Sequence, residues 1–335
     1  MIRQGITVAG NLIVDYYKQV PVYPGPGMLA HIMGVTRTLG GSVPNVIRDL
    51  AALTSDLPLT AVGCVGKDDA GALIMETLKN EGIDTGFISR VDTPTSYTDC
   101  MCAADTGERT FFTYSGANAV FSPEYVPLDK LNSRILHIAY LLLLDAFDAP
   151  DPEYGTVMAR FLKSAQQSGL KTSIDCVSAS KGRFPEVVKP ALKYCDYVIL
   201  NEIEACSVWE MEARDENGAL NEKNIKAALE SFIREGVREM AVIHCPEAGY
   251  SLDAQGVFTK VPSFKLPEGF IKSSVGAGDA FCAGCLYKLY YGAPADEMLR
   301  FAAACAAASL SAPDAVSGLK RENEINKLIN SLEMR

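Results

Sequence analysis

Residues 273–284 read Ser-Ser-Val-Gly-Ala-Gly-Asp-Ala-Phe-Cys-Ala-Gly and hold the residue types best suited to chemistry in this chain. The small, apolar run from Ala280 to Tyr291 predicts a buried helix, with Gly276, Ala277 and Gly278 at its start. N–H groups in a first helical turn have no intrahelical partner. Glycine lets backbone approach a ligand closely, and the helix dipole favours negative charge there. The three amides therefore predict an anion hole fit for a phosphoryl group in transfer. Asp279 follows them. A carboxylate repels phosphate, so its use here is as a base for the proton of an attacking hydroxyl. A loose phosphoryl-transfer transition state asks of that base orientation more than strength. The plainer reading is a Gly-rich loop whose aspartate caps a helix, and this stretch alone does not choose between the two. A dinucleotide fingerprint is disfavoured, because Ala280 and Phe281 follow where a third glycine is needed, and no Gly-x-x-x-x-Gly-Lys-Ser/Thr loop occurs.

Other candidates lie where predicted strands end. Ile6–Gly10 reads as a buried strand that leads to Asp15, and open α/β sheets bind ligands beyond the carboxyl ends of their strands. Gly40 and Gly41 precede a helical pattern through Val46, Ile47, Leu50 and Leu53. Ser42 is the expected N-cap, Pro44 sits in the first turn, and Asn45 can donate and accept toward hydroxyls. Strand Tyr197–Leu200 runs into Asn201 and Glu204, whose oxygens suit a hard Mg²⁺ ion, although an acid in a first helical turn is common without one. His31, His137 and His244 show no metal-ligand spacing.

The elements that must position these residues alternate along most of the chain, as expected for a mainly parallel sheet with helices on both faces. Strands are predicted at 59–65, 135–140, 171–175, 197–200 and 240–244. Helices are predicted at 72–80, 152–168, 185–194, 222–235, 280–291, 295–309 and 322–332. Residues 16–38 read as irregular because of their prolines and glycines, while 95–115 alternate as a β hairpin turning at Asp105–Glu108. With 335 residues, 48% hydrophobic and 21% charged, the chain can bury a large core. A net charge of −10 argues against nucleic-acid or anionic-membrane partners. No apolar run is of signal-peptide or bilayer-spanning length, and ten scattered cysteines fit a reducing cytoplasm.

Taken in order, Asp15, Gly40-Gly41…Asn45, Val65-Gly66…Asp68…Gly71, Gly107-Glu108-Arg109, Asn201…Glu204 and Gly276-Ala277-Gly278-Asp279 resemble the motifs of the ribokinase-like (PfkB) carbohydrate kinases. The matches run from Gly10 to about residue 315. The resemblance implies one α/β domain over 1–335, with a small β lid inserted at about 11–38 and 95–118. It implies transfer of the ATP γ-phosphoryl group to a hydroxyl of a sugar-like molecule. Asp279 would be the base and residues 276–278 the anion hole. Asp15, Gly40, Gly41, Asn45 and Arg109 would hold the acceptor. Asn201, His244, Gly249, Gly276 and Gly278 would hold ATP, and Glu204 would hold Mg²⁺ through water.

Three positions depart from the pattern. Ser273 stands where the family has an aspartate that helps bind a monovalent cation, which puts potassium dependence in question. His244-Cys245-Pro246 replaces a Thr-x-Gly that touches ATP, and residues 175–179 replace an Asp-x-Asn-x-Arg stretch. The alternative to an active kinase is therefore a catalytically silent sugar- or nucleotide-binding protein on the same fold. The Gly40–Asn45 loop carries no Lys or Arg, which points to an unphosphorylated sugar, a sugar acid or a nucleoside unless Arg37 or Arg109 turns inward. Pairing of lid edges predicts a homodimer.

Overall fold

The computed structural model describes residues 3–178 and 182–335; Ala179, the last residue of the 175–179 stretch, lies outside them. The chain opens with β1 (Ile6–Gly10), β2 (Ile13–Val20), β3 (Gly34–Gly40), α1 (Ser42–Leu53), β4 (Leu59–Gly66), α2 (Asp69–Asn80) and β5 (Asp84–Val91). It continues through β6 (Ser96–Ala103), β7 (Arg109–Tyr114), α3 (Gly116–Val120), β8 (Ile135–Leu141), β9 (Pro150–Asp151), β10 (Gly155–Thr156), α4 (Val157–Gln167) and β11 (Lys171–Cys176). Next come α5 (Phe184–Leu192), β12 (Tyr197–Asn201), α6 (Glu202–Ser207), α7 (Glu222–Glu235) and β13 (Met240–His244). The last elements are β14 (Ala248–Asp253), β15 (Phe258–Pro262), α8 (Ala277–Tyr291), α9 (Ala295–Leu310) and α10 (Glu322–Ser331).

Nine strands form the main sheet in the order β15-β14-β13-β12-β11-β8-β1-β4-β5. Only the β13–β14 and β14–β15 pairings are antiparallel, so β14 alone runs against the other strands. The central strands are buried on both faces and read as continuous apolar runs, as parallel strands between helical layers must. One layer packs α1, α8 and α9 against the sheet; the other is the core under α4, α5 and α7. Helix α8 is buried nearly all round, so its apolar residues show no polar face.

From β1 the chain moves outward through β4 to β5; from β8 it moves the other way through β11, β12 and β13. The strand order therefore reverses between β1 and β8. A crevice opens beyond the carboxyl ends of such strands, here at Asn11 and Tyr140. Asn11 bridges it: its N–H donates to Ala139 O (3.1 Å), and its Oδ1 accepts from Tyr140 N–H (2.6 Å).

A second, four-stranded sheet has the order β3-β2-β6-β7. The segment read as irregular from its sequence is instead β2 and β3, paired from Ile13–Gly40 to Gln19–Gly34. Its prolines and glycines are gathered in the connection between the strands, where no ladder N–H is required. Asp68 ties this sheet to the main one. It caps α2 by accepting from Gly71 N–H, and it also accepts from the N–H and hydroxyl of Thr95, just before β6.

Two local readings change. Ser42 is not the N-cap of α1: Gly41 is, at φ 87°, and the Ser42 hydroxyl donates to Ala139 O across the crevice. The helix expected over 152–168 begins at Val157, because residues 150–156 form the β9–β10 pair and Thr156 caps α4 by accepting from Ala159 N–H at 3.1 Å.

Candidate active site

Asp279 is the third residue of α8 and is 9% exposed. Gly276, at its N-cap, has φ 81°, and a Cβ there would lie 2.5 Å from Ala315 Cα, so only glycine lets the 312–317 loop close over the helix start. Ala280 N–H is the first to close an α-turn, onto Gly276 O at 2.8 Å; Ala277 N–H makes a 3.4 Å bond to Ser274 O. The N–H groups of Gly278 and Asp279 make no backbone bond and remain open to a ligand.

Both carboxylate oxygens of Asp279 accept hydrogen bonds. Oδ1 accepts from the Tyr140 hydroxyl at the end of β8, and Oδ2 from Asn45 Nδ2 on α1 at 3.0 Å. Burial raises the Asp279 carboxyl to about 6, and the two donors partly offset it by favouring the ionised form. Tyr140 is partly buried beside that carboxylate; loss of solvent and the neighbouring negative charge push its phenol well above its usual range and keep it a donor.

On one side of Asp279 a cavity of about 250 Å³ is lined by Asp175, Ser178, Asn201, Glu204, His244 and Gly278, besides Tyr140 and Asp279. Asn201 and Glu204 form a capping box at the start of α6. Asn201 Oδ1 accepts from Glu204 N–H at 2.8 Å, and Glu204 Oε2 accepts from Asn201 N–H at 3.2 Å. Glu204 Oε1 also accepts from the Ser178 hydroxyl at 2.9 Å. Burial lifts Glu204 to about 7. Asp175 is held well above the carboxylate range by burial and by the charges of Glu204 and Asp279. His244 is stacked on Phe281, with ring centroids 4.8 Å apart, and burial lowers it to about 4, so its ring is neutral. Gly249 sits apart. It pairs with His244 in the sheet, and its bare face meets Phe281 and Leu299, so the missing side chain serves packing rather than a ligand.

On the other side the small sheet covers two chambers. One, of about 700 Å³, is lined by Asn11, Gly41, Thr98, Phe111, Tyr140 and Ser178 among others, with no charged side chain. The other, of about 610 Å³, is lined by Asp15, Tyr17, Arg37, Asn45, Arg48 and Arg109 among others. Asp15 lies against Gly40, where a Cβ would be 2.0 Å from its Oδ2, so the glycine makes room for the carboxylate. Burial raises Asp15 to about 6, partly offset by a hydrogen bond from Thr98. Arg48 is committed to Glu81 through three hydrogen bonds. Ser273 is buried and accepts from Val275 N–H at 3.2 Å.

The structure thus brings Asp279, Gly276, Ala277, Gly278, Asn45, Asn201, Glu204 and His244 to one place, with Asp15, Gly41 and Arg109 in the flanking chambers and Gly40 behind Asp15. Sequence reading missed Tyr140 and Asn11. Both stand at carboxyl ends of the two strands flanking the order reversal, a position that would have marked them had the strand order been known.

A large, mostly parallel sheet with a small covering sheet, and a carboxylate at a glycine-rich helix start, define a class of phosphotransferase fold. A family profile described as pfkB family carbohydrate kinase matches residues 3–321. The chain belongs to that family, whose members are phosphotransferases with an alcohol acceptor. It is 23% identical to a ribokinase of Schizosaccharomyces pombe over 330 residues, covering 97% of this chain and 98% of that one. It is 25% identical to an adenosine kinase of Schizophyllum commune over 281 residues, covering 78% and 76%. Its fold is similar to that of Thermotoga maritima ribokinase, with a TM-score of 0.80, 22% identity and 98% and 99% coverage. Arabidopsis thaliana ribokinase complexed with ribose and ATP gives a TM-score of 0.78, 20% identity and the same coverage. Among the described residues no helix is long and apolar enough to cross a membrane.

Proposed function

We propose that this kinase transfers the γ-phosphoryl group of ATP to a hydroxyl of an unphosphorylated sugar, sugar acid or nucleoside, with Asp279 as the base. The observation that carries the reading is the placement of the Asp279 carboxylate, held by Tyr140 and Asn45, beside open helix-start amides. The acceptor hydroxyl gives its proton to Asp279 as its oxygen bonds to the γ-phosphorus. The bond from that phosphorus to the bridging oxygen breaks, and ADP leaves with the electron pair. The open amides of Gly276, Gly278 and Asp279 would take up charge on the phosphoryl oxygens, whereas Ala277 N–H, expected to join them, is committed to Ser274 O.

Asn201, His244, Gly276 and Gly278 would contact ATP from the 250 Å³ cavity. Glu204 would hold Mg²⁺, largely through water, with Asp175 beside it. Oxygen donors on crowded carboxyl groups fit a hard divalent ion, and the ion supplies neutralisation of phosphate charge. Ser273 offers a hydroxyl where a carboxylate would favour a monovalent cation, so no step depends on one.

The 700 Å³ chamber has no charged side chain and supports an acceptor without a phosphate, oriented by Gly41 and Tyr140. Arg37 and Arg109 both line the 610 Å³ chamber, where they would hold an acidic group such as a sugar-acid carboxylate. Asp15, Asn45 and Arg109 would bind acceptor hydroxyls from the same chamber, with Gly40 making room for Asp15 from behind. The small sheet would act as the lid that keeps water from the γ-phosphate. It leaves Val35, Phe111, Phe112 and Tyr114 exposed, and we infer that two copies pair there; a single monomeric species in sedimentation would remove that inference.

The test is ADP release with ATP and Mg²⁺ across a panel of sugars, sugar acids and nucleosides, for the wild type and for Asp279→Asn. Turnover on one class that the substitution abolishes, with acceptor binding retained, is expected. Unchanged turnover in Asp279→Asn would overturn the assignment of the base.

A further inference from the structure

Beneath the catalytic loop lies a group of three side chains, of which His137 and Cys282 have no part in the phosphotransfer reading and Asp175 borders it. His137 on β8, Asp175 on β11 and Cys282 on α8 are all buried and converge between the sheet and the helix. One ligand atom from each lies within 4.8 Å of the other two. His137 and Ser173 are register partners in adjacent parallel strands, Asp175 follows at the register shift between Ile174 and Cys176, and Cys282 is about one helical turn beyond Asp279.

We propose that His137, Asp175 and Cys282 form a binding site for a borderline-soft divalent metal, Zn²⁺ or a congener such as Co²⁺ or Cd²⁺. The donor set is one imidazole nitrogen, one carboxylate oxygen and one thiolate sulfur, which suits these metals rather than Mg²⁺ or Ca²⁺. Cys282 Sγ is 3.7 Å from His137 Nε2. A tetrahedral ion with ordinary Zn–S and Zn–N bonds would hold those atoms about 3.6 Å apart. The far nitrogen, Nδ1, is 3.0 Å from the Ser173 hydroxyl, an outer contact of the kind that fixes the ring and aims the other nitrogen at a metal.

Charge argues the same way. One dication with a thiolate, a carboxylate and a neutral imidazole is a neutral cluster, the form in which such groups are least costly to bury. Asp175 also lines the 250 Å³ cavity, which gives an ion an entry path and leaves an open coordination position. An ion drawn to this triad takes Asp175 away from the cavity where the nucleotide is proposed to bind. The site would therefore be inhibitory, and that consequence alone rests on the phosphotransfer reading.

Co²⁺ titration of the nucleotide-free protein tests the site without reference to activity. A thiolate-to-cobalt charge-transfer band with tetrahedral d–d absorption, at one ion per chain, is expected. Cys282→Ser should abolish the band. Ser173→Ala should weaken binding about ten- to a hundredfold. Substituting Cys100 and Cys102, whose sulfurs lie 3.6 Å apart on β6, should leave it intact. X-ray absorption of the Zn²⁺-loaded wild type should show one sulfur and one imidazole in the first shell, and it needs no variant to fold. No band, a band that survives Cys282→Ser, or two sulfurs on zinc would overturn the proposal. A confirmed band with ADP release unaffected by Zn²⁺ would keep the site and refute its inhibitory role.

Discussion

Replacing Tyr140 by phenylalanine removes one hydroxyl and leaves the aromatic packing, so it isolates the hydrogen bond to Asp279. A hydrogen bond to a charged group contributes about 1.5–3 kcal/mol, and one pKa unit corresponds to about 1.36 kcal/mol. The phenol donates to the ionised form, so its loss disfavours the carboxylate and must raise the Asp279 pKa, by about 1–2 units. The starting point is about 6. The groups facing Asp279 work in known directions. Asn45 continues to favour the ion, while burial favours the neutral acid. The carboxyl groups of Asp49, Asp175 and Glu204 couple to it through like charge.

If Asp279 must be ionised to take the proton, kcat/KM falls on the acid side along its titration. With a pKa near 6 about nine-tenths of the wild type is competent at pH 7; a shift to about 7.5 leaves roughly a quarter. Tyr140→Phe should then lose about fourfold at pH 7 and recover fully by about pH 9. The assay is initial-rate ADP release against pH at saturating ATP, with acceptor varied. A uniform loss at every pH would mean that Tyr140 positions the acceptor from its chamber and does not tune the base. An acid limb that does not move would refute the coupling altogether.

Other expectations follow from the same geometry. Asp15→Ala should raise the acceptor KM about ten- to a hundredfold, the loss of one hydroxyl–carboxylate bond, with kcat for ATP-saturated enzyme little changed. Gly40→Ala should act in the same direction, since its Cβ would stand 2.0 Å from Asp15 Oδ2 and displace that carboxylate; acceptor KM values near wild type for both variants would take Asp15 out of the acceptor site. Asp49, on α1, is fully buried with both carboxyl oxygens unpartnered, and burial with the nearby Asp279 charge holds it well above the carboxylate range. Between its unfolded and folded pKa values the folded state binds the extra proton, so stability falls as pH rises through that window. Asp49→Asn should remove that loss, raising Tm more at pH 8 than at pH 5. Thermal melts showing the same difference at both pH values would contradict it.

Local chemistry was the legible part of the sequence. The apolar run after Gly278 is the buried helix that its composition predicts, with the glycines at its start, and α7 and β13 lie where the sequence predicts a helix over 222–235 and a strand over 240–244. Residues 16–38 misled because proline and glycine were counted over the segment as a whole. They are concentrated between β2 and β3, and the flanking residues carry ordinary β patterning. Ser42 misled for a different reason. A serine beside a helix start is a cap only if its hydroxyl turns to the helix, and here the β8 carbonyl of Ala139 competes for it and wins.

What no local reading could supply is the environment of Asp279. Asp279 is positioned by its own helix, but the groups that set its ionisation are 139 and 234 residues away in sequence. Tyr140 reaches it because β8 ends at the point where the strand order reverses. Asn45 reaches it because α1 begins, by way of Gly40 and Gly41, on the opposite wall of the same crevice. A carboxyl this deeply buried with no donors would stay neutral at physiological pH and could take no proton. One fully hydrated would be ionised but too weak a base and poorly oriented. The value near 6 is what burial and two donors produce together, so the ionisation of Asp279, the proposed base, is a property of the fold's crossing point rather than of the Gly-Ala-Gly-Asp loop.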